Sequence, residues 1–158
     1  MSNKPPAPIK HGIPASVRVA VLAARFNGEI VAELLRGCLS RLVELGVAEN
    51  RVEVHRVPGA FELPVAASVV ARKKKFAAVI CLGAVVRGQT PHFDFVAGGA
   101  AYGIQRVAIR EGLPVIFGVL TTNTMKQAWE RAGGRHGHAG KRAADAAVEM
   151  VLLLRKLR

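Results

Sequence analysis

The stretch Phe76-Ala-Ala-Val-Ile-Cys-Leu-Gly83 decides the fold. It is a continuous apolar run without polar alternation, as expected of a central parallel strand covered on both faces. Upstream, Val17–Ala24 reads as a second buried strand. Asn27 then stands where it can cap a helix whose apolar positions Ile30, Leu34, Leu35, Leu39, Leu42 and Val43 follow a 3.6 period, with Gly46 as its stop. Val52–Val57 alternates like a strand, and Pro58-Gly59 breaks it. Pro64 fits the first turn of a helix over Phe61–Lys73. Downstream of Gly83 comes a Gly/Thr/Pro loop, then a helix over Phe93–Glu111 punctuated by Gly112 and Pro114. Val115–Leu120 is another buried strand. Thr121–Thr124 offers N-cap oxygens to a short helix that ends near Gly133-Gly134. Gly133–Gly140 reads as a glycine- and histidine-rich connection, and Lys141–Lys156 as the last helix.

Strands alternating with helices of crossover length mean α/β: a parallel sheet with helices on both faces, in one domain. The 158 residues suit a single domain over 16–158, which buries enough surface to need no disulfide or metal. Residues 1–15, with Pro5, Pro6, Pro8 and Pro14, read as a flexible N-terminal arm. The 51% hydrophobic content excludes a disordered chain. No apolar run reaches the roughly 18 residues of a membrane span. The polar, Pro-rich start has no apolar signal-peptide core. Cys38 and Cys81, both in apolar contexts, point to reduced thiols in a cytoplasmic protein.

The net charge of +12 leaves a nucleic-acid partner, a membrane surface and an anionic substrate open. Its distribution narrows the choice. Lys4 and Lys10 lie on the arm, Arg72–Lys75 on one connection, and seven Lys/Arg in 131–158, whereas 76–105 hold only Arg87 and Asp94. Basic stretches nearly free of aromatics, in a chain with 5% aromatic residues, do not resemble a base-stacking surface, so no nucleic-acid partner is expected.

In open parallel sheets ligands sit outside the carboxyl ends of the strands. Four segments fall there: Ala24–Asn27, Val57–Glu62, Gly83–Asp94 and Leu120–Thr124. In the richest, Gly88 permits close backbone approach, and Gln89 and Thr90 offer N–H groups and a hydroxyl at a helix start, a ready anion site. His92 is either a helix-start residue or a proton relay working near neutral pH. Asp94 either complements the helix dipole or orients His92. Glu62 either sits in a first helical turn for the dipole or accepts hydrogen bonds from ligand hydroxyls. Phe26 is either a lid on the core or a stacking face for a flat heterocycle. Arg131 is either a surface residue or a fork for phosphate. His136 and His138 make an H-x-H with no nearby carboxylate or Cys in sequence, a weak metal signal in what reads as a solvated loop. On residues alone, the chain is a parallel α/β domain that binds a phosphorylated small molecule, with His92 as its candidate acid/base.

Five blocks taken together resemble the lumazine synthase family of riboflavin biosynthesis: Ala24-Arg-Phe-Asn27, Val57-Pro-Gly-Ala-Phe-Glu-Leu-Pro64, Leu82–Val96, Phe117-Gly-Val-Leu-Thr-Thr122 and Glu130-Arg-Ala-Gly133. They occur in the family's order and spacing from about residue 16 onward. The resemblance implies a flavodoxin-like three-layer αβα sandwich with a four-stranded parallel sheet. It implies a transferase that condenses 5-amino-6-(D-ribitylamino)uracil with 3,4-dihydroxy-2-butanone 4-phosphate to 6,7-dimethyl-8-ribityllumazine, through an imine, with loss of phosphate and water and without metal or organic cofactor. By position, Phe26 would stack on the pyrimidine. Ala60, Phe61 and Glu62 would hold the ribityl chain, and Ala84, Val85 and Val86 would contact the ring through backbone. Gln89 and Thr90 would cradle the phosphate with Arg131 paired to it, His92 would move protons, and Phe117 would line the site from a neighbouring subunit. The family assembles as pentamers with sites between subunits, and the N-terminal arm would join a neighbour's sheet. One departure stands out. The family's short turn between the last two helices is longer here, Gly133–Arg142, with Lys141 in place of the family lysine and Arg142 as the other candidate. The resemblance then implies a pentamer or a small multiple rather than a sixty-subunit shell.

Overall fold

Every residue of the strand Val19–Ala24 (β1) is at most 1% exposed, so this strand has no solvent face at all. In the computed structural model, which describes residues 12–158, β1 is flanked by Val52–Val57 (β2) and Ala78–Val86 (β3), and β3 by Val115–Thr122 (β4). All pairings are parallel and the sheet order is β2-β1-β3-β4. The expected N-terminal arm falls outside the described residues as far as residue 11.

Alternate strand residues feed two cores, as the period of two requires. Val19, Val21, Ala23, Ile80 and Leu82 pack against the helices Gly28–Glu44 (α1), Met125–Arg131 (α4) and Ala139–Leu157 (α5). Ala20, Leu22, Val79, Cys81 and Val119 pack against Leu63–Arg72 (α2) and His92–Glu111 (α3). The result is the three-layer αβα sandwich expected from the pattern. Cys38 and Cys81 belong to these two different cores and are free thiols, and burial pushes the pKa of each up to about 12.

Three expectations are corrected. Asn27 occupies the N-cap of α1 but in the left-handed conformation (φ 53°) and makes no side-chain cap. The segment expected as one helix from Phe61 begins as a 3-10 turn, Ala60–Glu62, and becomes α-helical only at Leu63. The connection after α4 is not an open loop: Ala132–Gly134 (β5) and Gly137–His138 (β6) form a small antiparallel ladder. Gly133 (φ 114°) and Gly137 (φ 81°) take conformations that only glycine adopts without strain.

That ladder delivers His138 into the protein. Its ring fills the space left by Gly37 of α1, where an added Cβ would collide with the imidazole. Nε2 lies 3.5 Å from Glu33 Oε1. Burial pushes the imidazole pKa below its ordinary 6.5; Glu33 opposes this, and Arg36 and Lys141 add to it. The unfolded chain therefore takes up a proton near pH 6.5 that the folded chain takes up only at lower pH. This stability contribution is complete above pH 6.5 and declines as pH falls from there towards the folded value. The melting temperature is expected to drop on going from about pH 7 to about pH 5, and His138→Asn should flatten that slope. An unchanged slope in the variant would assign the drop to other groups.

Candidate active site

The chain order places β1 and β3 side by side while their outgoing connections run to opposite faces, so a crevice opens at their carboxyl ends. Asn27 braces this point. Its Nδ2 donates to the Ala84 carbonyl at 2.8 Å, joining the start of α1 to the end of β3. Beside it, the Arg25 and Phe26 N–H groups donate to the Val57 and Pro58 carbonyls at 2.8 and 3.1 Å, carrying the β1–β2 alignment beyond the strands. The backbone that holds Phe26 is therefore fixed, while its ring remains 72% exposed over the crevice.

The cleft holds about 570 Å³, within the usual range for small-molecule sites. It is lined by Phe26 with Ala60, Phe61 and Glu62, by Ala84, Val85 and Val86 at the end of β3, and by Gly88, Thr90, His92, Phe93 and Phe95 around the start of α3. Nine of the expected site residues thus meet in one place: Phe26, Ala60, Phe61, Glu62, Ala84, Val85, Val86, Thr90 and His92. The cleft is mostly apolar, with the Glu62 carboxylate and the start of α3 among its polar groups. An apolar space with a few polar groups is the usual form of a small-molecule site.

The loop Arg87–Pro91 leads into α3. Nothing lies within 4 Å of a Cβ added at Gly88, so the backbone there borders open space. The His92 N–H donates to Thr90 Oγ1 at 3.4 Å, and the Asp94 N–H to the Pro91 carbonyl at 2.9 Å. Asp94 pairs with Arg87 rather than with His92. Its carboxylate takes both forks of the guanidinium, at 2.9 and 3.2 Å. The hydrogen bonds raise the Arg87 pKa and hold the Asp94 carboxyl below its ordinary range. Arg87 does not line the cleft itself but borders it between Val86 and Gly88, and its one signal in the sequence is that it and Asp94 are the two formal charges in 76–105.

Four expected residues lie outside this chain's own cleft. Gln89 is not part of its lining, although its neighbours Gly88 and Thr90 contribute to it. Phe117 is on β4 with 41% of its surface exposed. Arg131 closes α4, and its Nη1 donates to the Gln127 carbonyl at 3.1 Å. Lys141 is in the first turn of α5, 3.9 Å from Glu44. The two histidines of the H-x-H face different carboxylates: His136 lies 3.8 Å from Glu130 and His138 3.5 Å from Glu33.

The family model described as 6,7-dimethyl-8-ribityllumazine synthase matches residues 16–155. Proteins named 6,7-dimethyl-8-ribityllumazine synthase from two strains of Coxiella burnetii, CbuG_Q212 and RSA 493 / Nine Mile phase I, are each 45% identical over 143 residues. The match spans 90% of this chain and 95% of each relative.

Proposed function

Since the chain belongs to the 6,7-dimethyl-8-ribityllumazine synthase family, we propose that the cleft at the β1–β3 junction performs the family's condensation, with His92 and Arg131 as its catalytic residues. The enzyme is a transferase of riboflavin biosynthesis that joins 5-amino-6-(D-ribitylamino)uracil to 3,4-dihydroxy-2-butanone 4-phosphate, forming 6,7-dimethyl-8-ribityllumazine. The observation that carries the site assignment is the convergence of Phe26, Glu62, Thr90 and His92 on one cleft from three separate strand ends.

In this reading Phe26 stacks on the pyrimidine, and Glu62 accepts from the ribityl hydroxyls with Ala60 and Phe61 beside it. Ala84–Val86 meet the ring through backbone. The phosphate rests on Gln89 and Thr90 at the start of α3, where first-turn N–H groups and the helix dipole favour an anion. The amine attacks the ketone and water leaves to give an imine; the adjacent carbon then loses a proton as phosphate is eliminated, and the second amine closes the ring on the resulting carbonyl with loss of a second water. Holding both substrates in register removes most of the entropic barrier. His92 moves protons in imine formation and elimination, and Arg131 stabilises the departing phosphate.

The working assembly is a pentamer, or a small multiple of it, with sites between adjacent subunits. Two observations support this. Phe117, Arg131 and Lys141 do not line their own chain's cleft, which leaves them available to complete an adjacent subunit's. The outer faces of α2 and α3 also leave Val65, Val69, Tyr102 and Ile109 each more than half exposed, apolar surface that water does not favour. Two buried thiols that cannot pair fit a cytoplasmic, reducing compartment. Among the described residues no helix is long and apolar enough to cross a membrane.

Mixing the two substrates with purified protein is expected to produce lumazine fluorescence; no product would end the assignment. In the same assay Arg131→Ala should raise KM for the phosphorylated substrate about tenfold or more, as for a lost charged hydrogen bond, with little change in KM for the pyrimidine. Sedimentation at sixty-subunit mass in gentle buffer would overturn the pentamer.

A further inference from the structure

The geometry points to Arg87 as a positioning residue that sets the α3 start, and with it Thr90 and His92, against the β4–α4 connection; this rests on the cleft assignment above. Five contacts converge on this one residue. Its main-chain N–H donates to the Thr122 carbonyl at 2.8 Å, fixing the last residue before the phosphate loop to the end of β4. Its guanidinium forks onto Asp94 at 2.9 and 3.2 Å. Nε donates to Asn123 Oδ1 at 3.2 Å. The guanidinium also lies over the Phe93 ring, 4.1 Å from its centroid.

These partners bracket the reacting groups. Arg87 precedes the loop Gly88–Pro91, and Phe93 and Asp94 follow His92 immediately. Holding both flanks leaves the intervening residues little freedom to drift. The Asn123 end is itself anchored, because its N–H donates to Gln127 Oε1 at 2.9 Å and the Gln127 N–H donates to Thr124 Oγ1 at 3.1 Å. Only arginine meets this demand: one planar group forks, stacks and donates sideways at once, whereas a lysine ammonium is a point charge. Exposure assigns the clamp to geometry rather than to stability. The pair is 41% and 59% exposed, and open ion pairs of this kind add little to folding. A loosened α3 start misplaces the phosphate cradle and the imidazole, whereas Phe26 and Glu62 are carried by the ends of β1 and β2.

The test is a double-mutant cycle on the full-length enzyme with Arg87→Gln, Asp94→Asn and the two combined, plus Arg87→Lys. Arg87→Gln is expected to lower kcat about tenfold and raise KM for the phosphorylated substrate about tenfold, within what a small misplacement costs. KM for the pyrimidine should stay within about twofold, a split that a reduced folded fraction cannot produce. Arg87→Lys should resemble Arg87→Gln, and the double variant should lose no more than the worse single one. Hydrogen exchange supplies a second readout: the His92 and Asp94 amides should exchange about tenfold faster in Arg87→Gln than in the wild type. Kinetic constants within about twofold of wild type, while His92→Ala collapses turnover, would overturn the proposal, as would strictly additive losses. A wild-type enzyme without turnover would remove the functional assignment alone, and unchanged amide exchange would then still overturn the clamp.

Discussion

Replacing His92 with alanine is expected to slow product formation about 100-fold, the lower end of what a positioned acid/base contributes. His92 opens α3 on the cleft wall, so the substitution removes an exposed imidazole and takes nothing from either core. Its main-chain link to Thr90 survives, since the donor is the N–H. The phosphate cradle and the pyrimidine wall should therefore keep their shape, and both KM values should change little. Steady-state kinetics, melting temperature and native mass on the same preparation separate the outcomes. A loss below about threefold would return His92 to the role of an ordinary helix-start residue. A loss accompanied by a broken assembly would make it structural.

Gly140→Ala is expected to produce the largest loss of stability, about 3 kcal/mol, at the upper end of overpacking costs. Gly140 is buried in the first turn of α5, where that helix meets α1. A Cβ there would collide with the Leu34 carbonyl oxygen and lie 2.8 Å from the Leu34 carbonyl carbon. Both are backbone atoms of a helix, so no rotamer change relieves the overlap and the two helices must separate. The α1–α5 layer covers one face of the sheet, with Arg41 of α1 bonded to Asp145 of α5 at 2.8 Å, so separation opens a whole core. For a chain of this size the melting temperature should fall by about 10 °C. Gly28→Ala is the control: a Cβ at Gly28 meets nothing within 4 Å, and the melting temperature should barely move. A tolerated Gly140→Ala would mean that α5 can shift along α1 without cost.

The site was legible in outline because of where parallel sheets bind ligands. Once Val17–Ala24, Val52–Val57 and Phe76–Gly83 are read as strands, the residues after each one must gather at one edge, and Phe26, Glu62, Thr90 and His92 do. Asp94 shows the limit of that reasoning. Two positions beyond a histidine at a helix start, it reads as a dipole partner or an orienting group, yet Arg87 takes its carboxylate with two donors. Asn27 shows the same limit: instead of capping its own helix it reaches 57 positions along the chain to Ala84. The Ala132–His138 ladder was hidden because its strands are too short to carry a pattern of alternation.

The layered fold was determined by the sequence alone, because burial on both faces leaves a strand no polar positions and burial on one face spaces a helix's apolar residues by turns. These are local consequences of water exclusion, repeated along each segment. Only the tertiary structure decided which side chain meets which: Asn27 with Ala84, Arg87 with Asp94 and Asn123, the His138 ring over Gly37, and Gly140 against Leu34. Each joins different elements through a single close approach. The distance between packed elements, set by all the side chains between them, determines such contacts, and no local periodicity records it.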